Sequence, residues 1–256
     1  MNEALSAQTV MMKGHNGEEI EAYLARPDGA QSFGESSTAA FGGVVVIHHL
    51  PGYDSSTKEI TRKFAAYGYA ALMPNLYYHD SPGASPDDAA AAARAKGGVP
   101  DEQVVGDVAG AAAYLKALPG SNGKVGVIGY CSGGRQSFLA ACSLTFDAAV
   151  DCYGGAVVRV PQGAPASFKP LIGLSKDLSC PLLGLFGADD QFPTPAETAE
   201  LSQKLEELSK PHEFHTFTGA GHAFFSVDRP SYRVEAAVEG WEKIWAFFGE
   251  HLTGKA

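Results

Sequence analysis

The stretch GKVGVIGYCSGGRQSF, residues 123–138, decides how the rest of the chain is read. Its β-branched run VGVI reads as a strand, the residues after Gly133 suit a helix, and a cysteine sits among glycines between them. Gly129-Tyr130-Cys131-Ser132-Gly133 matches the pattern G-x-[S/C]-x-G, which sets a nucleophile at the tip of a strand–turn–helix connection. Such a turn strains the nucleophile's backbone, and side chains two residues either side would strike the neighbouring strand and helix. The new helix also aims backbone N–H groups and its dipole at the sulfur, which favours a thiolate. The plain alternative is a glycine-rich turn around an inert thiol. The strand before and the helix after favour the reactive reading.

Outward from this turn, strands and helices alternate. Residues 19–27 have period two and can pair with 7–13 as an antiparallel edge. Residues 42–49, GGVVVIHH, form a continuous apolar run of the kind buried on both faces of a sheet. A helix is expected from Ser56, with Ser56 and Glu59 as a capping box, ending near Gly68. A strand follows at 69–74. Residues 80–100 are an insertion with an Ala-rich helical turn. Helical spacing runs from Asp101 to Leu118, and strands are expected at 147–154, 180–187 and 212–219. Thr194, Pro195 and Glu197 open another helix, and 231–252 is an amphipathic terminal one. The pattern predicts a single α/β domain over 1–256, with a mostly parallel sheet of about 7–8 strands and helices on both faces.

A nucleophile of this kind needs a base and an orienting acid, which arrive later in the chain in the order nucleophile, acid, His. LLGLFGADDQFP presents Asp189 and Asp190 just past a strand, and FHTFTGAGHAFF presents His222 in a Gly-rich loop past the next. Each could be an ordinary turn residue or surface histidine. Both loops, however, fall at the C-terminal ends of strands, where open α/β sheets carry their sites.

Composition narrows the partners. The formal net charge of −10 argues against nucleic acid and anionic membrane as partners. No apolar run approaches the length of a spanning helix, and the N-terminal MNEALSAQTVMMKG lacks the pattern of a signal peptide. Cys131, Cys142, Cys152 and Cys180 have neither metal nor disulfide spacing, so a cytoplasmic chain with free thiols is expected. His48 and His49, adjacent on a strand, should point to opposite faces, so no metal is expected.

GYCSGG, FGADDQFP, GAGHAFF and YAALMPNLY together resemble the dienelactone hydrolase family of the α/β-hydrolase fold, from about residue 20 to 250. The resemblance implies Cys131 as nucleophile, His222 as general base and Asp190, rather than Asp189, as the orienting acid. It also implies an oxyanion hole built from the backbone N–H groups of Leu50 and Ser132, and no cofactor. Aligned this way, the family's glutamate is replaced by His49. Its two carboxylate-gripping arginines fall at Ser226 and near Ala89, where Arg94 is the nearest candidate. The expectation is therefore a hydrolase of a small, neutral ester or lactone, as a monomer or small homo-oligomer. Tyr53, Tyr77, Tyr78, His79 and Phe225 are candidates for lining the pocket, and His49 for lowering the thiol pKa. Arg135 reads as the anchor of a structural ion pair rather than a substrate contact. The rivals are a thioesterase or acyltransferase on the same residues, a silent small-molecule binder, and a redox sensor, for which Cys131 has no evident resolving thiol.

Overall fold

The computed structural model of the protein describes residues 5–27, 40–164 and 168–253. They divide into two compact units, Met1–Gly126 and Val127–Ala256.

The first unit begins with strands β1 (Leu5–Lys13) and β2 (Glu19–Pro27), antiparallel along their whole length, with Leu5 opposite Pro27. β2 buries Ile20, Ala22 and Leu24 on alternate positions, as its period-two pattern requires. β3 (Phe41–Ile47) and β4 (Ala70–Pro74) run parallel, with Gly43 beside Ala70, and β4 pairs antiparallel with β2. Val44 to Ile47 are fully buried, which explains their uninterrupted apolar run. Helix α1 (Ser55–Ala66) joins β3 to β4, and its cap differs from the expected one. Asp54, not Ser56, accepts from the Thr57 N–H at 2.8 Å. A carboxylate placed one residue before the helix outcompetes a serine already inside it.

Helix α2 (Pro86–Ala95) is the Ala-rich insertion, capped by Ser85. It buries Ala89, Ala90 and Ala93 against Tyr77, with Leu50 and Val99 packed alongside. Helix α3 (Asp101–Ala117) buries Val104, Val108, Ala111, Ala112 and Leu115 at helical spacing, while Val105, which the sequence pattern also assigns to that face, is only half-buried.

Strand β5 (Ser121–Tyr130) runs from the first unit into the second. There follow α4 (Ser132–Ser143), β6 (Ala148–Cys152), a short 3-10 turn at Ile172–Asp177 that the sequence pattern does not show, β7 (Leu182–Gly187), α5 (Pro195–Glu207), β8 (His212–Phe217) and α6 (Val234–Phe248). β6, β7 and β8 pair parallel in that order, Ala149 beside Leu182 and Leu182 beside His212. Thr194 and Glu197 form the expected capping box of α5, each side chain bonding the other's backbone. The strand order of the eight-stranded, mostly parallel sheet is β1-β2-β4-β3-β5-β6-β7-β8. Each buried Leu, Val or Phe of these strands contributes about 1.5–3 kcal/mol relative to exposure. Among the described residues, no helix is long and apolar enough to cross a membrane.

Candidate active site

Cys131 lies between β5 and α4 at φ 57°, ψ −117°, a conformation that L residues rarely adopt. Two backbone bonds hold it there: its N–H donates to the Cys152 carbonyl at 3.0 Å, and its carbonyl accepts from the Gly134 N–H at 2.9 Å. The turn closes so tightly that a Cβ on Gly129 would lie 1.9 Å from the Gly133 carbonyl oxygen. Cys131 is partly exposed, whereas Cys142, Cys152 and Cys180 are buried. The Ser132 N–H begins α4 and so has no helical acceptor, which leaves it free for an anion.

Asp190 follows β7 and is 2 % exposed; its Oδ1 accepts from the Phe192 N–H at 2.8 Å. Its other oxygen, Oδ2, lies 2.9 Å from His222 Nδ1. Asp189 is exposed, and its backbone N–H donates to Ala220, tying the acid loop to the histidine loop. His222 also hydrogen-bonds Cys131. With Nδ1–H donated to Asp190, Nε2 is the nitrogen left for the sulfur. Burial acts to lower the His222 pKa, but the bonds to Asp190 and Cys131 outweigh it and push it up to about 10.

Other expected site residues have different surroundings. Phe225 is buried, with its ring against Tyr130, Trp241 and Phe224. In the first unit, His48 donates through Nδ1 to the His49 carbonyl and accepts from the Leu76 N–H at Nε2, so it joins the β3 and β4 loops as a neutral ring. Burial pulls its pKa down to about 4. His49 turns to other partners: Nδ1 meets Thr57 Oγ1 at 3.2 Å, and Nε2 lies 3.1 Å from Asp54 Oδ2, off the line of a hydrogen bond. Asp54 is destabilised as an anion by burial, but His49 and Thr57 hold its carboxyl down at about 2.

Tyr53 is buried beneath the Lys58 ammonium, its hydroxyl facing Glu21 and Thr9 of the β-hairpin without an aligned hydrogen bond. Tyr77 packs on His48 and the Ala-rich helix, and Leu50 flanks the same cluster. His79 places Nδ1 2.9 Å from Glu18 and Nε2 2.9 Å from Asp107. Arg135 stacks over Phe168 and donates to the Lys169 carbonyl. Arg94 is exposed on α2.

Tyr153 is a site residue that the sequence pattern does not single out; its ring stands edge-to-face against His222 with centroids 5.2 Å apart. The signal available in the sequence is an aromatic residue at the C-terminal end of a strand, followed by two glycines, where open sheets carry their sites.

Strand order, elbow and a His–Asp pair at the ends of parallel strands define an α/β-hydrolase fold. A crystal structure of a Klebsiella pneumoniae protein described provisionally as a dienelactone hydrolase superposes with a TM-score of 0.83 at 28% identity, covering 97% of this chain and 100% of that one. A sequence model of the dienelactone hydrolase family matches residues 20–252, and the chain belongs to that family of hydrolases. It is similar to provisionally named carboxymethylenebutenolidases of Yersinia pestis, 33% identical over 92% of this chain and 85% of that one, and of Synechocystis, 29% identical over 91% and 93%. A Bradyrhizobium protein named provisionally as a 2-oxo-3-(5-oxofuran-2-ylidene)propanoate lactonase is 28% identical over 98% of this chain and 99% of its own.

Proposed function

We propose that the protein hydrolyses a small ester or lactone through a thioester on Cys131. The observation that carries this reading is the His222 imidazole bonded on one side to the buried Asp190 carboxylate and on the other to the strained Cys131. The Cys131 thiolate attacks the substrate carbonyl carbon, and the carbonyl π electrons move onto oxygen. The Ser132 N–H at the start of α4 receives that oxyanion, and a donor of this kind lowers the barrier by about 3–4 kcal/mol. As the tetrahedral intermediate collapses, the C–O bond breaks and protonated His222 gives its proton to the leaving alkoxide. His222 then takes a proton from water, whose hydroxide attacks the thioester and releases the acid and the thiolate. Asp190 holds the ring in the required tautomer throughout.

The substrate is neutral in this reading, because Ser226 stands where the family resemblance places an arginine and α2 buries alanines where it places the other. The lactonase name of one relative supports the lactone branch, while the propanoate in that name is an acid and lends nothing to the neutral-substrate part. The test is p-nitrophenyl acetate turnover by the parent, by iodoacetamide-treated protein and by Cys131→Ala. Thiol-dependent turnover is expected. Acylation without turnover points to an acyltransferase, and no reaction to a binder.

A further inference from the structure

The turn leaving β6 touches both halves of the proposed triad, and no step of the proposed hydrolysis uses it. Cys152, the last residue of β6, accepts the Cys131 N–H through its carbonyl at 3.0 Å. The next residue, Tyr153, stacks edge-to-face on His222, its ring plane inclined 62° to the imidazole. Tyr153 is buried and sits at φ 44°, a conformation the surroundings must enforce. They do so from several sides. Its N–H donates to the Leu185 carbonyl at 2.9 Å, and the Gly154 N–H donates to Asp151 Oδ1 at 2.8 Å. A Cβ on Gly154 would lie 2.4 Å from both that oxygen and the Arg135 nitrogen, so the turn cannot widen. At the far end of the side chain, the phenol oxygen faces Phe225 and Ser226, on the loop that carries His222.

Asp190 and Cys131 hold the two nitrogens of the imidazole, which sets the line between them but not the tilt of the ring about it. An uncharged contact on the ring face or edge sets that tilt, and an edge-to-face aromatic neighbour supplies one. We infer that Tyr153 is the positioning residue for His222, setting the imidazole plane from a turn bonded to the backbone of Cys131. The same turn thus references base and nucleophile to one another. The inference rests on the proposed hydrolytic reading.

Two variants and one measurement on the parent test it, with p-nitrophenyl acetate as substrate. Tyr153→Leu lowers kcat about a hundredfold, the scale expected for a misplaced group, leaves KM within about twofold, and shifts the pH–rate profile. Tyr153→Phe keeps the ring and recovers at least about tenfold of that loss. A folded Tyr153→Leu with the parent's kcat and pH profile overturns the inference. So does a Tyr153→Phe as slow as Tyr153→Leu, since the ring would then not be the active feature. Should Tyr153→Leu not fold, cross-relaxation between tyrosine and histidine rings in selectively labelled parent protein decides: a Tyr153–His222 signal supports the contact and its absence overturns it. A parent without thiol-dependent turnover would instead sink the hydrolytic reading, and the cross-relaxation measurement would still test the contact.

Discussion

His222 Nδ1 stands 2.9 Å from Asp190 Oδ2, while the other oxygen of that buried carboxylate is fixed by the Phe192 N–H. The imidazole is therefore held by an acceptor that cannot turn away.

Replacing Asp190 by Asn should leave the backbone contact intact but present the wrong partner to Nδ1. The proposed hydrolysis should fall by about a hundredfold to ten-thousandfold in kcat. Burial alone would lower the His222 pKa, and Asp190 is a main reason it stands at about 10. Because that value is raised, the stability contributed by the charged ring is complete below the ordinary histidine range and is lost as pH rises through about 10. In Asp190→Asn the titration midpoint, followed by histidine NMR, should move down toward that ordinary range. An unmoved midpoint would contradict the assignment.

His79 is clamped between two carboxylates, Glu18 on the β-hairpin and the buried Asp107 of α3. Burial works to lower its pKa, but Asp107 and Glu18 raise it overall. Its stabilisation is thus complete below the ordinary histidine range and is lost as pH rises through the raised value. His79→Gln should cost about 1–3 kcal/mol near pH 6 and less near pH 9, measured by denaturant unfolding. A penalty independent of pH would show that the ring acts only by packing.

Asp151 should behave in the opposite sense to an ordinary surface carboxylate. Burial raises its pKa to about 7, with the Gly154 N–H opposing that rise only in part. The folded state therefore favours the protonated acid, and stability declines as pH climbs from the ordinary carboxylate range through about 7. Asp151→Asn removes that decline. Relative to the parent it should gain stability progressively between pH 5 and 8, by about 3 kcal/mol over that window, since each tenfold change in proton affinity is worth about 1.4 kcal/mol. A parent–variant difference that stays flat over this window would refute it.

The parts of this molecule that sequence makes legible are those where backbone sterics leave few choices. Gly129 announces the elbow because only hydrogen fits where the turn closes on the Gly133 carbonyl. The Thr194–Glu197 box states its helix start in four residues. The Ser56–Glu59 pair offers the same letters, yet Asp54 caps that helix, since several nearby polar residues can compete for the same N–H groups. Loop aromatics are least legible. Tyr77 and Phe225 both follow strands, but Tyr77 packs on alanines of α2 and Phe225 on Trp241, partners distant in sequence. Tyr153 is hidden in the sequence because its importance lies in where its ring meets His222, a contact made between widely separated chain segments.

The most direct measurement is to quench the protein in acid during p-nitrophenyl acetate turnover and locate the acyl group by mass spectrometry of its peptides. The proposed chemistry predicts one acetyl group on Cys131, absent from Cys131→Ala, whose turnover is also lost. Turnover that persists in Cys131→Ala, with the parent's Cys131 peptide never acylated, would contradict it.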